Sequence, residues 1–144
     1  MNSVNKDKTF INVLLVDDEK GYLNVLSNRL ARRHINATKT FSGTQAIQIL
    51  RKNDFDVVVL DLKMEDMDGI EVLKVIKRMV PDLPVIILTG HGSQTAAEEG
   101  IAFGAFDYLT KPCELVDLMD KINQAYKHQK KKKDSDLQLK KYDS

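Results

Sequence analysis

Four places in this 144-residue chain carry residues that could do chemistry, and each follows a short apolar run. Asp17, Asp18 and Glu19 follow Val13-Leu14-Leu15-Val16, and Asp61 follows Val57-Val58-Val59-Leu60. Thr89 follows Val85-Ile86-Ile87-Leu88, and Thr110, Lys111 and Pro112 follow a segment ending in Leu109. Any one of these acids or hydroxyls, taken singly, reads at least as well as a cap on a following helix. Jointly that reading fails. Carboxylates sharing a crevice repel and raise each other's pKa, so gathering them beside a lysine from a neighbouring segment calls for a bound cation. Oxygen-only ligands suit a hard ion, and a small carboxylate cluster completed by waters and substrate oxygens is the preference of Mg2+ rather than zinc or copper. The single cysteine, Cys113, and three scattered histidines supply neither a disulfide nor zinc-ligand spacing.

The elements that must position these residues are legible from periodicity. The three strongest apolar runs are too short for helices and rich in β-branched residues, as expected for strands buried on both faces. Weaker strands are expected at Asn36 to Thr40 and Ala105 to Leu109, both as outer strands. Helical stripes recur at spacings of three and four: Leu23, Leu26 and Leu30, then Leu115, Leu118, Met119 and Ile122. Asp68-Gly69-Ile70-Glu71 has the Asp-x-x-Glu spacing of a helix start, and Val72, Leu73, Ile76 and Val80 continue that stripe until Pro81 and Pro84 end it. A helix near Thr95 to Phe103 has only a thin stripe of Ala96, Ala97 and Ile101, which predicts looser packing. Phe10, Phe41, Phe55, Phe103 and Phe106 read as core or boundary packing, and His34 and His128 as solvent-facing. Five β-α units in strict alternation demand a parallel sheet with helices on both faces, a doubly wound α/β domain. In such sheets the functional crevice lies beyond the carboxyl ends of the central strands, where the four chemical positions fall.

Composition sets the outer limits. A mass of 16.3 kDa with 42% hydrophobic and 30% charged residues fits one globular domain. No apolar run approaches the roughly 18 residues of a membrane span and no secretory signal is visible, so a cytoplasmic location is expected. The formal charge of +1 is uneven: residues 1–126 hold 15 Lys/Arg against 18 Asp/Glu, and residues 127–144 hold seven Lys against three Asp. Lysine runs of this kind are more often solvated ends than binding elements.

The motifs Val16-Asp17-Asp18-Glu19, Leu60-Asp61-Leu62-Lys63-Met64 with Gly69 beyond, Leu88-Thr89-Gly90, and Phe106-Asp107-Tyr108-Leu109-Thr110-Lys111-Pro112 follow one another in order, each after its own strand. In this the chain resembles the receiver domains of two-component response regulators, over roughly residues 10 to 127. The resemblance implies a flavodoxin-like, five-stranded parallel sheet in the order 2-1-3-4-5 with five helices. It implies a phosphorylation-dependent switch that takes a phosphoryl group on Asp61 from a histidine kinase or phosphotransfer protein, with Mg2+, and then alters binding to a downstream effector. Asp17, Asp18, Asp61 and the backbone carbonyl of Lys63 would hold the ion. Lys111 would contact the phosphoryl group, Thr89 would donate its hydroxyl to it, and Tyr108 would change rotamer as Thr89 moves. The Lys111–Pro112 bond is expected to be cis. Attack by a carboxylate on an anionic phosphoryl group needs charge neutralisation, which a divalent ion and an ammonium supply.

Residues 1–9 read as an N-terminal extension and 128–144 as a basic tail, either prolonging the last helix or disordered, with no output domain expected in the chain. The face formed by the fourth helix, the Tyr108 strand and the last helix is expected to meet the partner. Glu65 stands where the family commonly has proline, which removes a φ restraint and adds an acid near Asp61. In this family the positions of Lys63 and His91 border the path of the hydrolytic water, so the resemblance implies that they tune phosphoryl lifetime, with plain surface charge as the alternative. An aspartate-nucleophile phosphatase is disfavoured because Lys63, not Asp, lies two residues after Asp61. No catalysis is expected beyond the chain's own phosphorylation and dephosphorylation. The alternative is a phosphorylation-independent receiver that binds protein or nucleic acid through its basic tail. No membrane contact or sequence-specific nucleic-acid recognition is expected, and homodimerisation stays open.

Overall fold

The computed structural model describes residues 10–90 and 94–143. In chain order the elements are β1 (Ile11–Val16), α1 (Lys20–Ala31), β2 (Ile35–Thr40), α2 (Gly43–Leu50), β3 (Val57–Asp61), α3 (Gly69–Met79), β4 (Val85–Thr89), α4 (Gln94–Ala102), β5 (Asp107–Thr110) and α5 (Leu115–Asp143). The strands form one parallel sheet in the order 2-1-3-4-5, as the alternation and the resemblance imply.

Strand residues alternate between two cores, the period-2 consequence of a pleated backbone. Val13, Leu15, Val57, Val59, Ile86 and Leu88 face the side covered by Leu23, Leu26 and Leu30 of α1 and Leu118, Ile122 and Ala125 of α5. Leu14, Val16, Val58, Leu60, Val85 and Ile87 face Ala46 and Leu50 of α2 and Val72, Leu73 and Ile76 of α3. Burial on both faces is why β1, β3 and β4 read as unbroken apolar runs.

Registry brings the strand ends level. Val16 pairs with Thr40 on one side and Leu60 on the other; Asp61 pairs with Leu88, and Thr89 with Thr110. The residues beyond β1, β3 and β5 therefore emerge at one edge.

Several details depart from the sequence-based expectations. β5 begins at Asp107 rather than Ala105, because the Ala105 N–H donates to Gly100 O in the turn that ends α4. The inward face of α4 is Ala97 and Gly100, and Ile101 is exposed. Gly100 belongs on that face because a Cβ there would fall 2.2 Å from Ile87 Cδ1. Phe10 and Phe103 are exposed rather than core, Phe103 lying under the Lys74 ammonium at 4.2 Å. Finally, α5 runs without a break across the 127/128 boundary. Gln129 is buried and Lys132 pairs with Asp82 at 2.8 Å, whereas residues 134–140 are exposed throughout. Among the described residues, no helix is long and apolar enough to cross a membrane.

Candidate functional site

β1 delivers Asp17 into the sheet edge almost completely buried, and the ladder is prolonged there by an Asp17 N–H bond to Thr40 O at 3.1 Å. Asp61 ends β3, also buried, and the next residue stays tied to the sheet through Leu62 N–H donating to Leu88 O. Lys111 leaves β5 with its N–H donating to Thr89 O at 2.7 Å, and the Lys111–Pro112 peptide is cis.

Three strands thus aim three side chains at one point. Lys111 Nζ donates to Asp17 Oδ2 at 2.8 Å, Glu19 Oε1 at 3.2 Å and Asp61 Oδ2 at 3.3 Å. Carboxylate oxygens of Asp17, Glu19 and Asp61 lie within 4.8 Å of one another. Asp17 is oriented by its other oxygen, which accepts from Glu19 N–H at 2.9 Å, and Asp61 Oδ1 accepts from Lys63 N–H at 3.0 Å. The ammonium also sits 4.6 Å over the Tyr22 ring, a cation–π contact from the first turn of α1.

The electrostatics follow from this crowding. Burial pushes the Asp61 carboxyl above its ordinary range; the Lys63 N–H pulls down, Asp17 pushes up and Lys111 pulls down, with a net rise. For Lys111, burial opposes the charge, but the hydrogen bond to Asp17 and the field of Asp61 outweigh it and hold the ammonium charged well above the usual lysine range. Burial raises the Tyr22 phenol to about 12, assisted by Cys113, so it stays neutral.

A surface depression of about 400 Å³ opens beside Asp61, lined by Glu19, Tyr22, Asp61, Lys63, Gly90, Lys111 and Pro112. Among the described residues, a Cβ on Gly90 would meet nothing within 4 Å. Thr89, buried at the rim, donates its hydroxyl to Leu109 O at the long distance of 3.5 Å. Tyr108, half-buried, packs against the core shared by β4 and α3 and does not line the depression.

Of the residues singled out from sequence, Asp17, Asp61 and Lys111 are in direct contact and Lys63 lines the depression. Asp18 stands apart: its Oδ2 accepts from Glu65 N–H at 3.3 Å, and it is not in the 4.8 Å carboxylate group, where Glu19 takes its place. His91 lies outside the described residues. Sequence reasoning missed Tyr22, although its spacing of three from Glu19 puts both on one helical face. It also missed Asp66, whose partners are 22 and 23 residues distant. The donor set fits a hard divalent ion, since it is all oxygen, anionic and compensated by a single ammonium.

A family model described as "Response regulator receiver domain" matches residues 13–123. Transcriptional regulatory protein ZraR of Escherichia coli is 37% identical over 118 residues, which are 82% of this chain and 27% of that protein. A putative NtrX-like response regulator of Rickettsia bellii is 39% identical over 106 residues, 72% of this chain and 22% of that protein. The chain thus spans about a quarter of the length of these curated relatives. Among solved structures, a response regulator receiver domain protein from Clostridium thermocellum superposes with a TM-score of 0.81 at 35% identity, covering 84% of this chain and 98% of that one. A chain described as adenylate cyclase from Rhodopirellula baltica superposes with a TM-score of 0.87 at 32% identity, covering 92% and 98%.

Proposed function

The chain belongs to the response regulator receiver domain family, and from that premise we propose that it is a switch phosphorylated on Asp61 by a phosphohistidine donor. The observation that carries this reading is the part-buried Lys111 ammonium shared between Asp17 and Asp61 beside an open depression. An Asp61 carboxylate oxygen forms a bond to phosphorus as the phosphorus–nitrogen bond of the donor imidazole breaks; the electron pair goes to that nitrogen, which is left to take a proton from solvent. Lys63 N–H holds Oδ1, leaving the second oxygen toward Lys111, whose ammonium offsets charge on the incoming phosphoryl oxygens. Asp17, Asp61 and Glu19, whose carboxylates lie together, would hold Mg2+, with Asp18 joining on release of Glu65 N–H and the Lys63 carbonyl completing the set; the ion when bound would supply charge neutralisation.

Thr89 turns its weakly held hydroxyl to the new phosphoryl group, and Tyr108 on the same pair of strands responds. The partner reads the face made by α4, β5 and α5. Hydrolysis of the acyl phosphate returns the ground state.

Intact-mass measurement of the full chain with acetyl phosphate tests this. One added phosphoryl group is expected with Mg2+ and none with EDTA, and Asp61→Asn abolishes the gain. Persistence of the gain in Asp61→Asn overturns the acceptor assignment, and amide shifts that avoid α4, β5 and α5 overturn the output face.

A further inference from the structure

Resting on the acceptor reading of Asp61, we propose that Asp66 is a positioning residue for phosphorylation, clamping the loop between β3 and α3 to the start of α2. The loop, residues 62–68, contains no proline, and within it the Lys63–Asp68 bridge is the isolated β-type contact. Asp66 supplies what local sequence does not. Its Oδ1 accepts from Gly43 N–H at 3.1 Å, and its Oδ2 accepts from both the N–H and the hydroxyl of Thr44 at 3.1 Å.

These donors are two of the N–H groups that an α-helix leaves without internal partners at its start. The next is met by α2's own cap, Gln45 N–H donating to Ser42 Oγ, and Ala46 N–H to Ser42 O is the first internal bond of the helix. The loop therefore completes the cap of α2, and the negative carboxylate lies at the positive end of the helix. Slight burial pushes the Asp66 carboxyl upward, but the Thr44 and Gly43 N–H groups outweigh it and hold the acid below its ordinary range.

Packing supports the same contact. A Cβ on Gly43 would fall 2.6 Å from Val72 Cγ2 and 3.3 Å from Met67 Cβ, so the bare backbone lets the loop and α3 close on α2.

The clamp closes a ring of contacts around the acceptor. β2 is tied to β1 by the Thr40 hydroxyl donating to Leu15 O at 2.8 Å and by Asp17 N–H donating to Thr40 O. α2 follows β2 after two residues, Asp66 joins α2 to the loop, Glu65 N–H reaches Asp18, and Lys63 N–H fixes Asp61 Oδ1. With Asp66 removed, the Glu65–Asp18 bond at 3.3 Å and the Lys63–Asp68 bridge are left to steady the loop, and the aim of Lys63 N–H loosens. A displacement of ~1 Å at a reacting group costs on the order of 100-fold in rate, so a partial loosening is expected to cost about tenfold.

The test compares the parent chain with Asp66→Ala, Asp66→Asn and Thr44→Val, using acetyl phosphate and Mg2+ as probes. Phosphorylation is followed by intact mass over a donor series, urea unfolding reports stability, and amide hydrogen exchange reports Gly43 and Thr44. Asp66→Ala is expected to lower the maximal phosphorylation rate about tenfold with the half-saturating donor concentration little changed, and to speed exchange at both amides. Asp66→Asn, which keeps one acceptor oxygen, regains part of the rate, and Thr44→Val loses less than Asp66→Ala. A rate within twofold of the parent in Asp66→Ala overturns the proposal, as does a loss no larger than its unfolded fraction explains. Should Asp66→Ala not fold, an Asp66→Asn rate equal to the parent's does the same. A parent that gains no phosphoryl group, or gains one elsewhere than Asp61, refutes the acceptor reading itself, a failure visible without any Asp66 variant.

Discussion

Replacing Lys111 with Met keeps most of the stem and removes the charge, and the structure says what should follow. The ammonium lies 2.8 Å from Asp17 and 3.3 Å from Asp61, whose side chains are 2% and 5% exposed, while its own side chain is 17% exposed. At an effective dielectric of about 20, those two attractions are worth roughly 6 and 5 kcal/mol before desolvation and carboxylate repulsion are set against them. Deleting one partner of a buried ionic cluster costs ~3–5 kcal/mol, because the remaining charges lose their counter-ion without regaining water. The partial exposure of the ammonium favours the lower figure, about 3 kcal/mol at pH 7.5, or roughly 10 °C in Tm for a chain of this size. The loss is expected to depend on pH. Because burial holds the Asp61 carboxyl above its ordinary value, the folded chain keeps a proton that the unfolded chain has released. Stability therefore falls as pH rises from the ordinary carboxylate value through the raised one. Without Lys111 that window extends upward, so the variant's deficit is smaller near pH 4 than at pH 7.5. Mg2+ at 100 times the parent's Kd adds about 2.7 kcal/mol to the parent fold, and the same Mg2+ concentration should add more to the variant, where no ammonium competes for the carboxylates. Urea unfolding followed by circular dichroism, in EDTA and in Mg2+ at both pH values, measures each quantity. A variant matching the parent in EDTA at pH 7.5, or one whose deficit is equal at both pH values, refutes the electrostatic account.

Gly69→Ala would place a Cβ 2.4 Å from Leu62 Cα, a backbone atom that cannot rotate away, so a loss of about 2–3 kcal/mol is expected in urea unfolding. Truncation after Lys133 removes a helical stretch whose residues 134–140 are all exposed, and unfolding free energy should move by less than about 0.5 kcal/mol while far-UV helical signal falls. Truncation after His128 also removes buried Gln129 and the Lys132–Asp82 pair, and should cost on the order of 1 kcal/mol more by the same measurement.

The sheet was legible because burial on both faces leaves an unmistakable record: β1, β3 and β4 match the apolar runs to within a residue or two at each end. The outer strands were harder. β2 carries Asn36, Thr38 and Lys39 on a partly solvated edge, and β5 is displaced by a turn that depends on where α4 ends. In α4 the close approach to Ile87 is made by a glycine, which has no hydropathy to contribute to a stripe. In the far half of α5 the apolar Leu137 and Leu139 are exposed and two residues apart, so no helical period announces it. At the site, residue type and strand-end position sufficed for Asp17, Asp61 and Lys111. The direction of Asp18, the stacking of Tyr22 and the reach of Asp66 each depend on contacts between elements, and no local pattern encodes those.

The same geometry divides the site into fixed and labile parts. Asp17, Asp61 and Lys111 are each held by at least two directed contacts, one of them to the backbone. A charge-assisted bond at 2.8 Å is among the stronger contacts a side chain makes, and redirecting it would forfeit several others at once. The Thr89 hydroxyl is bound differently. Its 3.5 Å bond to Leu109 O lies at the edge of useful geometry, where a hydrogen bond contributes little. Turning it toward a new anion beside Asp61 therefore sacrifices almost nothing, whereas Asp17, Asp61 and Lys111 would each have to break a short contact to respond. Of Asp17, Asp61, Lys111 and Thr89, the threonine has the side chain least firmly held, and its present acceptor belongs to the residue next to Tyr108.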